Sequence, residues 1–462
     1  MKMNRNRVRL LEVLDKAQEG PVTDERYFQS RMIPQTLREL QKKYEINYDG
    51  KTIIPNDDDF ADRLFEAGME MAETLGVLCT STGRRITFTR AELEHWLRYV
   101  PAQVEAGAGR DRAIFYSRRP EDDRPPGVAG GPFGQTDPED YFIELMQSYA
   151  QEPIFDVIWN GSLATVYGRS GRTRSPWEVL QCWEEAALSK EAARRAGRPD
   201  IGIGCVSSAT SEVGELSSSA PGGFRPTDCH RTCFMAELKT DYSLLSKVAH
   251  FIASGVVPVH SFYNPILGGY VGGPEGVAIA GVGGHILLQM VNMTSTHSLC
   301  TIHPFHHSNT VPQLLWATSS AHQALNRNTD MLTTILCSPV GGPGTKVLLR
   351  ECAAAAITGS VSGVARVDGV RTTGGKEVGH ASGLEARLYG EVARSLKGVT
   401  RADADRMVKA LTDKYMPEYE SHPIGKTFDK VYDLTTIKPL PEWQEMYEEV
   451  KAEVRELGVP LP

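Results

Sequence analysis

The chain has no long apolar run. Its most hydrophobic stretch, residues 277–291, is interrupted by Gly281, Gly283, Gly284, His285 and Gln289. That is too short and too polar to cross a bilayer. There is no surplus of positive charge either. The 50 Lys and Arg against 58 Asp and Glu leave a net charge of −8, which gives no electrostatic footprint for nucleic acid. The first twenty residues carry basic side chains but no apolar core, so a secretory leader is not expected. No nucleotide fingerprint occurs: GGYVGGPEG at 268–276 lacks the Lys-Ser/Thr and the spacing of such loops, and reads as a tight turn. A soluble, cytoplasmic protein with neither nucleic-acid nor membrane partner is the expectation.

Acid is scarce where a carboxylate-based active site would need it. Across residues 256–345 only Glu275 and Asp330 are acidic, and only Arg327 is basic. Glycosidase-type chemistry, with two carboxylates flanking a bond, has no basis there. Disulfides are not needed to build a core in 462 residues, so the eight cysteines are expected as free thiols, mostly buried.

What is present is a rhythm. Residues 1–110 read as a mainly helical extension. DDDFADRLFEAGMEMAETLG and TRAELEHWLRYV have helical apolar spacing, and a hairpin, VLCTSTGRRITFT, lies between them. A Gly-, Pro- and Arg-rich loop follows over 107–137. From Pro153 strands alternate with helices. The helix opening at Ser175-Pro176 and ending at Gly197 carries the usual cap residues. Strands are expected at 201–206, in VVPVHSFYN, in LCTIHPFHH, in MLTTILCSPVGG and near 364–370, with a long loop from 207 to Arg231. Repeated β-then-α units force parallel strands. Continuously apolar strands imply that both faces are covered. The fold expected is α/β, a (β/α)8 TIM barrel over 111–400 with the N-terminal helical extension packed on it and a C-terminal helical tail at 401–462. A doubly wound sheet is the alternative.

In such a barrel the reactive groups sit at the C-terminal ends of the strands. Those positions hold Cys205, His260, His303, His306, His307 and Cys337, and DCHRTC at 228–233 adds Cys229, His230, Arg231 and Cys233. Three readings follow. Imidazole and thiolate could ligate a metal, zinc above all, from His260, His303, His306, Cys337 and Cys205. The same groups could line a polar pocket without metal, with Cys205 or Cys337 as nucleophile. Or most of them could be structural, as expected for His250 and His285 inside helices. Trp159, Phe262, Tyr263, Tyr270 and Phe305 lie near the same level and are candidates for an aromatic cage around an alkylammonium substrate.

Dispersed, co-linear stretches carry a resemblance: FEAGMEMAETLGVLCT, GAGRD, GGPFG, SPWEVL, AGRPDIGIG, NPILGGYVGG, GLEARLYGEVARSLKGV, IGKTFDKVYDLTTIKP and the closing ELGV. Through them the chain resembles the monomethylamine:corrinoid methyltransferase family over nearly its whole length. The resemblance implies a (β/α)8 barrel, a homo-oligomer, and delivery of a methyl group from an amine to the cobalt of a separate corrinoid protein. It also implies a difference. The family's pyrrolysine falls on Gly204, so this chain is a homologue without it. The family's His-Glu is His230-Arg231 here. A further acidic position falls near Ser261 or Phe262, and a Gln and a Tyr fall near Leu336 and Ser338. Gly204, Cys205, His230 and Arg231 are therefore the candidate catalytic positions. The missing side chain at Gly204 is expected to free volume for a donor larger than methylamine. Three functions remain: methyl transfer from an N-methylated amine, quaternary ones included, to a corrinoid protein; a zinc-assisted version; or a barrel that binds a small ligand without catalysis.

Overall fold

The computed structural model describes residues 5–205 and 211–461. Eight parallel strands close a barrel, in chain order around the ring: β1 (Gly127–Gly130), β2 (Val157–Trp159), β3 (Gly202–Cys205), β4 (Cys229–Cys233), β5 (Val259–Tyr263), β6 (Thr296–Leu299), β7 (Thr333–Leu336) and β8 (Arg366–Gly369). A helix follows each strand: α1 (Phe142–Ala150), α2 (Pro176–Arg195), α3 (Glu212–Ser218), α4 (Tyr242–Ser254), α5 (Pro274–Asn292), α6 (Pro312–Asn328), α7 (Lys346–Val361) and α8 (Gly383–Arg394). The expected (β/α)8 barrel is the fold.

Local chemistry sets where the helices begin and end. The Asp241 carboxylate caps α4 by accepting from Leu244 N, and Gly255 closes it with φ of 71°. Ser382 and Glu385 form a reciprocal capping box at α8. Helix α5 is buried along almost its whole length. It is sandwiched between the barrel and the N-terminal helix Asp58–Leu75, so it is apolar all round rather than on one stripe. The two helices touch at glycines. A Cβ on Gly68 would lie 2.3 Å from Val282, and one on Gly283 would lie 2.9 Å from the Gly68 carbonyl. This contact seats the N-terminal extension on the barrel.

Three sequence-based expectations are corrected. The 107–137 segment is not all loop, because it contains β1, whose four small residues give no strand signal. DCHRTC is not part of a loop but supplies β4, a strand too polar to read as one. The sixth strand lies at Thr296–Leu299, ahead of the His303–His307 cluster, which is in the loop beyond it. The tail is helical at Arg401–Tyr419 and Pro441–Glu456, with a two-stranded turn between. Among the described residues no helix is long and apolar enough to cross a membrane.

Candidate active site at the barrel mouth

Alternation along each strand decides what enters the barrel. The antiparallel pair Gln103–Ala106 and Ala113–Tyr116 closes the N-terminal end with Val104, Ala106 and Phe115. Above them the interior is polar. Arg366 and Asp368, two residues apart on β8, form an ion pair with Nε to Oδ1 at 2.6 Å, and both are fully buried. The Arg366 guanidinium lies between rings, 4.9 Å from the centre of Phe115 and 5.4 Å from that of Trp159. Asp368 also accepts from Trp159 Nε1 at 3.1 Å. His260 Nδ1 lies 2.8 Å from Thr296 Oγ1 and receives Arg366 Nη2 at 3.4 Å. With donors on Nδ1, the imidazole proton sits on Nε2. Burial, followed by the neighbouring Arg366 and Arg231 charges, holds the His260 pKa well below the ordinary range, so the ring is neutral. His260 Nε2, Ser298 Oγ, Thr334 Oγ1 and Arg366 Nη1 are buried atoms without a hydrogen-bond partner among the described residues. Such groups cost stability unless something meets them.

The space above Gly204 is filled. Trp159 pairs with Gly204 across β2 and β3. A Cβ on Gly204 would fall 1.8 Å from the indole Cε3. The expectation of free volume there is overturned: the glycine accommodates a tryptophan, and only a glycine would. Phe133, from the loop after β1, packs against that indole at 4.6 Å between ring centres, with the rings tilted by 56°. Arg231, directed inward on β4, lies over Phe262 at 4.5 Å and Phe133 at 5.4 Å. Arg371, in the loop after β8, donates from Nη1 to Gly374 O. Burial lowers the pKa of both arginines, that of Arg231 to about 10.

The candidates from sequence divide by one residue of register. Gly204, Arg231, His260, Trp159 and Phe262 face the interior. Their neighbours face the helical layer. Cys205 belongs to the outer core, and burial pushes its thiol pKa well up, so it is no nucleophile. His230 points outward, with Nδ1 2.7 Å from Glu215 Oε1 and Nε2 2.9 Å from Arg225 O. Both ring nitrogens face acceptors, so this is a structural imidazolium. Tyr263 packs on Gly284 of α5 rather than lining a cage. Cys337 lies outside, against Cys352 of α7. Tyr270 and Phe305 are exposed loop residues, 36% and 76% accessible. Phe262 and Phe133 spend their ring faces on Arg231, so the expected alkylammonium cage is not assembled.

The metal candidates do not converge. His303 and His306 stack on each other at 5.1 Å in the loop after β6, and His306 reaches Glu420. His260 is inside the barrel and Cys337 outside it. Among the described residues no group of three or more His, Cys, Asp or Glu side chains is placed to hold a metal ion. The residues present do not fit zinc. Five interior or mouth residues escaped sequence reasoning: Phe133, Thr296, Arg366, Asp368 and Arg371. For two of them a signal existed. Opposite charges two residues apart in the otherwise apolar VARVDGV place an ion pair on one strand face.

A closed parallel barrel whose polar side chains converge near the C-terminal strand ends is a (β/α)8-barrel enzyme. Its family is defined by comparison. The family described as monomethylamine methyltransferase MtmB matches residues 8–459. Monomethylamine methyltransferase MtmB2 of Methanosarcina acetivorans is 33% identical over 445 residues, 96% of this chain and 97% of that one. MtmB1 of Methanosarcina barkeri is also 33% identical over 445 residues, with the same coverage. The crystal structure of the Methanosarcina barkeri monomethylamine methyltransferase superposes with a TM-score of 0.94 at 32% identity, covering 97% of this chain and 98% of that one. A hydroxylamine complex of MtmB superposes equally well. The chain belongs to the MtmB family and is a methyltransferase.

Proposed function

We propose that this protein moves a methyl group from an N-methylated amine, best a quaternary one, to the cobalt of a separate corrinoid protein, and does so without pyrrolysine. Family membership supports methyl transfer. The observation that carries the rest is Trp159 over Gly204, which leaves no room for any side chain at the position where the resemblance puts the family's electrophile. Covalent capture of the amine at that position is therefore absent from the reaction. Cobalt(I) on the partner supplies the electron pair of the new Co–C bond. The C–N pair leaves with nitrogen, and cobalt ends as methyl-cobalt(III).

The donor must then arrive with a good leaving group. A quaternary ammonium departs as a neutral tertiary amine whatever its surroundings. A primary or secondary amine beside Arg231 and Arg371 is pushed towards its unprotonated form, from which it would have to leave as an amide anion. Neutral His260 adds no compensating charge, and Arg366 is already matched by Asp368. The chain's own contribution is to hold and desolvate the donor in a walled mouth. Trp159 is fixed for this by its bond to Asp368.

Purified protein is mixed with a cobalt(I) corrinoid protein and a panel of mono-, di-, tri- and tetramethylated amines, N-methylated amino acids among them, and methyl-cobalt absorbance is followed. Transfer from quaternary donors well ahead of methylamine is the expected result. No transfer from any donor would leave a ligand-binding barrel and overturn the proposal. The homo-oligomer implied by the resemblance is part of the same proposal, and sedimentation of the purified chain tests it.

A further inference from the structure

The mouth carries two guanidinium groups that no carboxylate balances. Neither Arg231 nor Arg371 makes an ion pair among the described residues; Arg231 is held by ring faces and Arg371 by a backbone carbonyl. Residues 206–210, Val-Ser-Ser-Ala-Thr, contain no acidic side chain to supply one. The buried acid that Arg231 feels, Glu215, lies behind the barrel wall and is engaged by His230. The two arginines share surroundings. Arg231 lies over Phe133, two residues beyond Gly131, and the Gly131 N–H donates to Gly369 O, two residues before Arg371.

Each arginine is largely but not completely covered. A partly desolvated, unpaired guanidinium is costly, and two near each other are more so. Guanidinium forks match carboxylates in shape as well as charge. Cation–π contacts with Phe133 and Phe262 hold Arg231 in place without using its N–H groups as hydrogen-bond donors. A bare methylammonium cation is repelled by this arrangement.

We infer that the methyl donor carries its own anion: an N-methylated amino acid whose carboxylate is bound by Arg231 and Arg371. This deepens the function proposed above and rests on it for the methyl group, but not for the carboxylate. The carboxylate pairs with the two guanidiniums. The ammonium end then sits in a field that its own negative charge has partly neutralised, which removes the repulsion. Arg231 and Arg371 are binding residues and take no part in breaking the C–N bond.

The test compares matched ligands by calorimetry, with no corrinoid protein present. Mono-, di- and trimethylglycine are each set against the amine in which a methyl group replaces the carboxymethyl group: dimethylamine, trimethylamine and tetramethylammonium. At least one methylated glycine should bind about 10- to 100-fold more tightly than its counterpart, the range for a charge-assisted hydrogen-bonded pair. Arg231→Gln and Arg371→Gln should each abolish most of that preference while leaving the circular dichroism spectrum and melting temperature near wild type. Arg231→Lys should retain part of it. Equal binding of the pairs, preference for the amine, or millimolar ligand failing to bind in either form overturns the inference. So does an Arg231→Gln variant that keeps the preference. A carboxylate preference without methyl transfer to cobalt would sustain the inference and overturn the proposed reaction instead, so the two failures are separable.

Discussion

Two buried polar clusters lie back to back across the barrel wall, and they behave oppositely. Inside, Arg366, Asp368, Trp159, His260 and Thr296 form one connected network in which every ring and charge touches the next. Outside, between β6, α5 and α6, His285, His297 and His322 are also fully buried, with ring centres 6.2 and 6.4 Å apart. They are weakly connected: His285 Nδ1 faces Gly281 O, His297 faces Thr294, and neither nitrogen of His322 has a partner among the described residues. Thr296 and His297 are adjacent in sequence and belong to different clusters. Composition alone does not distinguish a working interior from a packed exterior; strand register does.

The comparison breaks most severely at the ion pair. Asp368→Ala leaves Arg366 charged, buried and unpaired, and frees the Trp159 indole N–H. Losing one partner of a buried pair costs about 3–5 kcal/mol. Urea unfolding should show that loss in Asp368→Ala, and should show much of it restored in the double variant Arg366→Met with Asp368→Leu. Wild-type stability in the single variant would mean that the pair is solvated. The next largest effect is expected at Gly204. Gly204→Ala drives a methyl group into the indole, and overpacking of this kind costs about 1–3 kcal/mol. In a Trp159→Phe background the same substitution should cost less than half as much. An equal cost in both backgrounds would remove Trp159 as the reason for the glycine.

How much of this was legible in the sequence follows from the same geometry. The barrel was readable because a helix announces itself through Ser175-Pro176 and Gly197, and because most of the strands are apolar. Strands β1 and β4 were not readable. One is four small residues, and the other, Cys-His-Arg-Thr-Cys, looks like a loop until its neighbours pair with it. At the site the level was right for the candidates on β2 to β5 and at the end of β7, but the face was wrong for Cys205, His230, Tyr263 and Cys337, and after β6 the level was wrong too, because His303 and His306 lie beyond the strand end. Cys205, His230, Tyr263 and Cys337 are the chemically conspicuous residues, yet each sits one position from the inward Gly204, Arg231, Phe262 or Leu336. A period of two turns a one-residue error into the opposite side of the wall. Gly204 was singled out for what it lacks, but the side chain that fills the space comes from a different strand. No local pattern reveals that.

Smaller effects separate the histidines by pH. Burial lowers the His285 pKa to about 4 and, with His285 beside it, that of His322 to about 3. Their unfolded values lie near ~6.5, so their neutral burial supports the fold above that pH. The support is lost as pH falls towards the folded values, on the order of 1–3 kcal/mol for each. His230 has the reverse sign. Although burial opposes it, the Glu215 carboxylate raises its pKa. Its contribution is full below ~6.5 and fades as pH rises through the folded value. Unfolding measured from pH 4 to 9 should show a flatter acid limb in His285→Asn and a flatter neutral-to-alkaline limb in His230→Gln. Parallel curves for the two variants would mean that these two outer histidines titrate alike, whatever their partners.

The smallest effect is at the residue the sequence made most conspicuous. Cys205 neighbours Gly204 in the chain, is fully buried among Ile203 and other outer-core side chains, and has its thiol pKa raised by desolvation. A protonated thiol facing away from the barrel neither attacks a methyl group nor accepts one. Cys205→Ala removes one buried sulfur, so it should cost about 1 kcal/mol of stability through the small cavity it leaves. The methyl-transfer rate and the carboxylate preference should stay within about twofold of wild type, a difference of ~0.4 kcal/mol. Alkylation by iodoacetamide should reach Cys205 only at the rate of unfolding. Rapid labelling of the folded protein at this residue, or a tenfold loss of transfer with stability intact, would place Cys205 in the chemistry and erase the distinction between the two faces of β3.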